Sequence, residues 1–259
     1  MKIGFMDSGI GGLSLLHTAL KKISGQQFLY YSDSANVPYG EKTAQEILTY
    51  TDMAVRFMLG QGCRAIVIAC NTATSVAAAA LRETYDIAII GMEPAVKKAL
   101  DSCEGRVLAA ATPITVRGDK LHHLLDRVDK HFRVDLLPLP GLVRFAESGT
   151  FDADVIIPYL QTELDRFELT QYSALVLGCT HFNFFKDSFR AVLPDQVRLI
   201  DGNDGTVNQL IRLFPQLASD GVGSTSVEFY DSAYGWAGEA EKEHISALLA
   251  RLDKMYEIS

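Results

Sequence analysis

The chain has no apolar run of membrane-spanning length and no excess of basic residues. None of its 259 residues falls in an apolar run approaching the ~20 that a bilayer-crossing helix requires. No charged-then-apolar leader precedes the first strand, so the expected location is the cytoplasm. Positive charge is scarce: 24 Lys and Arg against 32 Asp and Glu leave a net charge of −8. That balance argues against nucleic acid or an anionic membrane as partner. It does not argue against a small acidic substrate, because a pocket of amides and hydroxyls outweighs a screened global charge. Cysteine is sparse too. Four of them (Cys63, Cys70, Cys103, Cys179), with no Cys-x-x-Cys pair, exclude a disulfide framework, a dithiol redox motif and the usual paired zinc ligands.

What is present centres on Ala65-Ile66-Val67-Ile68-Ala69-Cys70-Asn71-Thr72. The apolar, mostly β-branched run predicts a strand buried on both faces of a parallel sheet. Asn71 or Thr72 is suited to cap the Ala-rich helix that follows, expected over 74–85. Cys70 thus falls at the carboxyl end of a strand and near a helix N-terminus, where open α/β sheets bind ligands and thiolates are favoured. The layout recurs in Ala174-Leu175-Val176-Leu177-Gly178-Cys179-Thr180-His181.

The order of elements also recurs. A strand over 2–6 leads into the glycine-rich turn Asp7-Ser8-Gly9-Ile10-Gly11-Gly12, and a helix follows. A second strand, a loop through Asp33, Pro38, Tyr39 and Gly40, and a helix over 43–59 lead to the Cys70 strand. A strand over 87–91 closes this unit, and Glu93-Pro94 is suited to open the next helix. From Arg106 the pattern restarts, with Thr112-Pro113-Ile114-Thr115 in place of the glycine-rich turn. Asp7 to Cys70 is 63 positions and Thr112 to Cys179 is 67, which suggests two similar α/β units facing each other. The expected class is α/β, with two pseudo-symmetric parallel-sheet domains and the active site in the cleft between them. The tail, with a strand over 227–230 and a helix over 239–256, is expected to return to the first unit. The domains are then residues 1–95 plus 208–259, and 96–207.

Each candidate residue has a plainer reading. A free cysteine is often a small buried hydrophobe, and Cys63 and Cys103 are read so; the strand-end placement of Cys70 and Cys179 favours function. Cys179 and His181 offer two soft donors to zinc but lack a paired partner motif, so no metal is expected. Gly9-x-Gly11-x-x-Ser14 with Asp33 resembles a dinucleotide fingerprint lacking its third glycine, and Asp7 at its mouth would repel phosphate. His181 is placed to exchange a proton with Cys179. His17, His122, His123, His131 and His244 read as solvated, and Glu147, ending an amphipathic helix, reads alone as surface.

Four blocks taken together carry a family resemblance: Asp7-Ser8-Gly9-Ile10-Gly11-Gly12-Leu13, Pro38-Tyr39-Gly40, Ala69-Cys70-Asn71-Thr72-Ala73 and Gly178-Cys179-Thr180-His181. In order and spacing they resemble the signature blocks of glutamate racemase, over nearly the whole chain. The resemblance implies a cofactor-independent isomerase that interconverts L- and D-glutamate and supplies D-glutamate for peptidoglycan, often as a homodimer. It implies Cys70 and Cys179 as the catalytic pair, Asp7 assisting the first and His181 and Glu147 the second. Asp7, Ser8, Tyr39, Gly40, Asn71, Thr72, Thr180 and His181 match the glutamate-binding positions, with Thr115 a further contact. Asn183 and Leu137-Pro138-Leu139-Pro140 depart from the family pattern and bear on specificity and on the role of Glu147. Two other functions fit the same residues: a racemase for aspartate or a related amino acid, and a protein that binds an acidic amino acid without turning it over.

Overall fold

The computed structural model describes residues 1–92, 95–218 and 224–258. The first unit runs β1 (Lys2–Asp7), α1 (Leu13–Lys22), β2 (Gln27–Ser32), α2 (Ala44–Gly60), β3 (Ala65–Ile68), α3 (Asn71–Thr84) and β4 (Ala88–Gly91). After α4 (Ala95–Ser102) the second runs β5 (Arg106–Ala111), α5 (Pro113–Arg117), α6 (Asp119–Val128), β6 (Val134–Pro138), α7 (Pro140–Glu147), α8 (Ala153–Leu164), β7 (Tyr172–Leu177), α9 (Lys186–Val192) and β8 (Arg198–Ile200). The chain ends with α10 (Asn203–Leu213), β9 (Ser226–Asp231), β10 (Gly235–Trp236) and α11 (Glu239–Tyr256). Glu93 and Pro94, expected to open α4, lie outside the described residues.

The strands form two sheets, ordered β10-β9-β2-β1-β3-β4 and β6-β5-β7-β8. All neighbours are parallel except β10 on β9. Among strands 1–4 and 5–8 the order is the same: second, first, third, fourth. In each sheet the chain leaves the first strand to one side and returns on the other. Such a reversal opens a crevice at the carboxyl ends of the strands. Asp7 ends β1 and Cys70 follows β3 beside it; Thr112 follows β5 and Cys179 follows β7 beside it. Both cysteines therefore stand at switch points. The turns match in detail, since Ala69 N–H donates to Met6 O (2.8 Å) and Gly178 N–H to Ala110 O (2.7 Å).

β3 is buried throughout, as its apolar run predicts. The tail joins the first sheet, as expected, through β9 beside β2. Two local expectations fail. The Ala-rich helix begins at Asn71 rather than Thr74, and its N-cap is Cys70 itself, not Asn71 or Thr72. A thiol's sulfur accepts the Ala73 N–H at 3.4 Å, a cap that residue preferences do not anticipate. His17 is buried, not solvated, and bonds Asp253 at 2.8 Å through Nε2, because α11 returns across α1. With α11 on one side and the second unit on the other, α1 buries Leu13, Leu15 and Leu16, at ~2 kcal/mol each as an upper figure.

Candidate active site

The Cys70 end of the site is built by two segments of the first unit, residues 7–9 and 70–73, with Thr180 reaching in from the second. The sulfur caps α3 and donates to Ser8 Oγ at 3.7 Å. Asp7 beside it is fully buried and accepts from Gly9 N–H (3.1 Å). Its other oxygen accepts from Thr180 Oγ1 (3.1 Å), which comes from the opposite unit. Burial and then the Asp7 charge push the Cys70 thiol up, against the pull of Ala73 N–H. The protonated thiol is the favoured form here.

The Cys179 end has the opposite character. A buried 3-10 turn, Thr180–Phe185, follows the sulfur and carries His181 back against it. His181 Nδ1 lies 3.6 Å from Cys179 Sγ, and Nε2 lies 2.6 Å from Glu147 Oε1. That same carboxylate oxygen accepts Ile10 N–H at 2.9 Å, tying α7 to the glycine-rich turn. Burial alone would lower the His181 pKa; its hydrogen bonds to Cys179 and Glu147, with their charges, outweigh burial and raise it well above the ordinary value. A ring protonated on both nitrogens donates to the Cys179 sulfur and to the Glu147 carboxylate at once. Glu147, which alone reads as surface, is drawn into the site by these two donors.

The positions expected to bind glutamate gather around the two cysteines. Ser8, Thr72 and Thr180 are buried, while Asn71 is half-buried where α3 begins. Thr72 Oγ1 meets Thr112 Oγ1 at 3.0 Å and Thr115 Oγ1 at 3.3 Å, and those two meet at 3.0 Å, closing a ring of three hydroxyls across the units. Thr112 is the residue the sequence reading passed over. It follows β5 as Ser8 follows β1, and that equivalence was the available signal. Tyr39 is buried and its hydroxyl donates to Asp33 at 2.5 Å, so it offers the cleft its ring and backbone rather than its O–H. Gly40 lies against Thr112, where a Cβ would stand 2.9 Å from the threonine Cβ.

Contacts within the protein also engage the residues of the dinucleotide-like and metal-like patterns. Asp33, the acidic residue of the dinucleotide-like pattern, is held by Tyr39 and Asn36. The turn that would cradle a pyrophosphate instead faces Glu147 and His181, within 1.9 Å and 2.4 Å of Cβ atoms built at Gly9 and Gly11. Both His181 nitrogens are engaged, and among the described residues no three His, Cys, Asp or Glu side chains are grouped to hold a metal. Cys63 is buried and Cys103 only half-buried; His122, His123, His131 and His244 are exposed.

The Asp/Glu/hydantoin racemase family model matches residues 3–210. The chain belongs to that family. A glutamate racemase of Campylobacter curvus is 52% identical over 100% of both chains. The solved glutamate racemase of Campylobacter jejuni has a TM-score of 0.83 at 27% identity, covering 96% of this chain and 98% of that one. The Francisella tularensis glutamate racemase in complex with D-glutamate has a TM-score of 0.83 at 25% identity, over 96% and 93% of the two chains. The match of this chain's parallel-sheet α/β fold to these solved glutamate racemases bears out the expected fold class.

Within this family framework the departures have structural uses. Asn183 is buried and its Nδ2 donates to Thr180 O at 3.2 Å, beside Ser14 Oγ at 3.3 Å, so it braces the 3-10 turn. In the second departure, Leu137 and Leu139 are buried and Pro140 opens α7. Asp7 leads to a stability prediction. Burial, partly opposed by the His181 charge, raises its pKa from 3.8 to about 6. A raised carboxyl pKa contributes stability that is full below 3.8 and lost as pH rises through about 6. At ~1.4 kcal/mol per unit the loss is on the order of 3 kcal/mol. Asp7→Asn should therefore melt higher than wild type at pH ~8 and lose that advantage below pH ~4, by thermal unfolding at both.

Proposed function

We propose that this chain is a glutamate racemase that works with two thiols and no cofactor, interconverting L- and D-glutamate and supplying D-glutamate for peptidoglycan. The observation that carries the reading is the pairing of opposite neighbours with equivalent cysteines: a carboxyl beside Cys70, an imidazolium beside Cys179. Full-length identity of 52% to a glutamate racemase supports the substrate.

Racemisation removes a weakly acidic Cα proton from one face and adds one to the other, so the base and the acid must flank the carbon. In the L-to-D direction Cys179, acting as a thiolate with His181 beside it, takes the proton of L-glutamate and becomes a thiol. The Cys70 thiol gives its proton to the opposite face and becomes a thiolate. The product is D-glutamate, and the reverse reaction starts from the exchanged state. Asp7 assists Cys70; His181 and Glu147 assist Cys179. Hydroxyls of Ser8, Thr72, Thr115 and Thr180, with the free amides at the α3 N-terminus by Asn71, hold the substrate carboxylates and amino group together with Asp7 and the Tyr39-Gly40 backbone. Those fixed donors also stabilise the charge that develops as the Cα proton leaves.

The domains are residues 1–95 plus 208–259 and residues 96–207, each holding one sheet. The protein works in the cytoplasm, as a homodimer, without nucleic acid or membrane. Among the described residues no helix is long and apolar enough to cross a bilayer.

Chiral analysis of products from a panel of amino acids tests the reading. Glutamate should be racemised with kcat/KM at least about tenfold above aspartate, a margin of ~1.4 kcal/mol. Activity should persist after exhaustive chelation and gel filtration. A clear aspartate preference, or activity restored only by an added metal or cofactor, contradicts it.

A further inference from the structure

We infer that Arg251, on the C-terminal helix, is a positioning residue for the Cys179 half of the reaction; the inference rests on the two-thiol reading above. Leu248, Leu252 and Met255 bury one face of α11, and Arg251 lies between them at the edge of that face. Its Nε donates to Phe184 O at 2.9 Å, a carbonyl within the 3-10 turn that carries Thr180 and His181. Its Nη2 donates to both carboxylate oxygens of Asp187 at 3.0 and 2.9 Å, in the first turn of α9. The guanidinium stacks 4.6 Å over the Phe151 ring. Phe151 in turn packs on Phe184 and Phe185 at 5.7 and 5.5 Å between centroids.

These contacts join the two segments whose side chains must meet. His181 lies three residues before Phe184, and Glu147 four residues before Phe151, across a turn in which Gly149 has φ +69°. The Glu147–His181 bond of 2.6 Å spans the same two segments on the cleft side. Arg251 therefore clamps from behind what the ion pair joins in front. A short 3-10 turn leaves carbonyls without helical partners, and a planar fork that also stacks satisfies one of them while fixing orientation. Lysine carries its three donors on one nitrogen as a compact point charge and cannot reproduce the planar fork.

Two readouts test this. With uniformly 15N-labelled histidine, the ring N–H signals of His181 should be slow to exchange with water in wild type. Arg251→Ala should accelerate that exchange at least tenfold and Arg251→Lys by an intermediate amount. This measurement does not depend on turnover, so it stands whether or not the two-thiol reading does. The second uses half-reactions in heavy water. Added to Cys70→Ala, Arg251→Ala should cut deuterium wash-in to L-glutamate at least tenfold. Added to Cys179→Ala, it should leave wash-in to D-glutamate within about threefold. Unchanged His181 exchange, or equal loss on both substrate faces, overturns the positioning role. Absence of wash-in in Cys70→Ala alone, with His181 exchange accelerated by Arg251→Ala, would sink the two-thiol reading and leave the clamp standing.

Discussion

Cys70→Ala and Cys179→Ala are each expected to abolish racemisation in both directions, by at least about 10³-fold, within the range that a positioned acid or base contributes. The symmetry of the loss follows from the chemistry: either direction needs one thiol as base and the other as acid. The two variants should differ in what survives. Cys70→Ala keeps the thiol beside His181 and should still wash deuterium into L-glutamate. Cys179→Ala keeps the thiol at the α3 N-terminus, which should do the same for D-glutamate. The second thiol begins protonated, held up by burial and by Asp7, so its wash-in should be the slower of the two at neutral pH. Racemisation by either variant at the wild-type rate would end the two-thiol account.

Gly11→Ala should be nearly as damaging without removing any reacting group. A Cβ there would stand 2.4 Å from His181 Nδ1, 2.5 Å from Thr180 Oγ1 and 2.7 Å from His181 Cε1. Neither neighbour can yield easily. The imidazole is buried and held from its other side by Glu147, and Thr180 is held by Asp7. The two units must separate, or the ring must leave Cys179. Misplacement on the order of 1 Å at a reacting group costs on the order of 10²-fold. The expected result is a kcat about 10²-fold lower with far-ultraviolet circular dichroism unchanged. An active Gly11→Ala enzyme would mean that the units do not close as described.

Much of this is legible in the sequence. The apolar runs of β3 and β7 are short, β-branched and bounded by small residues, so local pattern alone places both cysteines at strand ends. The repeated order of elements predicts the paired sheets. What local pattern does not carry is anything set by a distant segment. His17 reads as solvated because its partner Asp253 comes from α11, more than two hundred positions later. Glu147 reads as surface because its partners, Ile10 and His181, come from other elements. Thr112 joins Thr72 only across the cleft, and Tyr39 turns its hydroxyl to Asp33. The Cys70 cap is a local feature that was missed, because preference scales favour the Asn and Thr next to it.

The central claim is that two thiols act on opposite faces of one carbon, and the isotope content of the first product tests it most directly. Purified protein is incubated with L-glutamate in heavy water, and the enantiomers are separated and weighed at low conversion. The account predicts D-glutamate that carries solvent deuterium at Cα from the first turnover, while the recovered L-glutamate is still largely protiated. Early D-glutamate that retains the substrate's own proton would show a single base serving both faces and contradict the account.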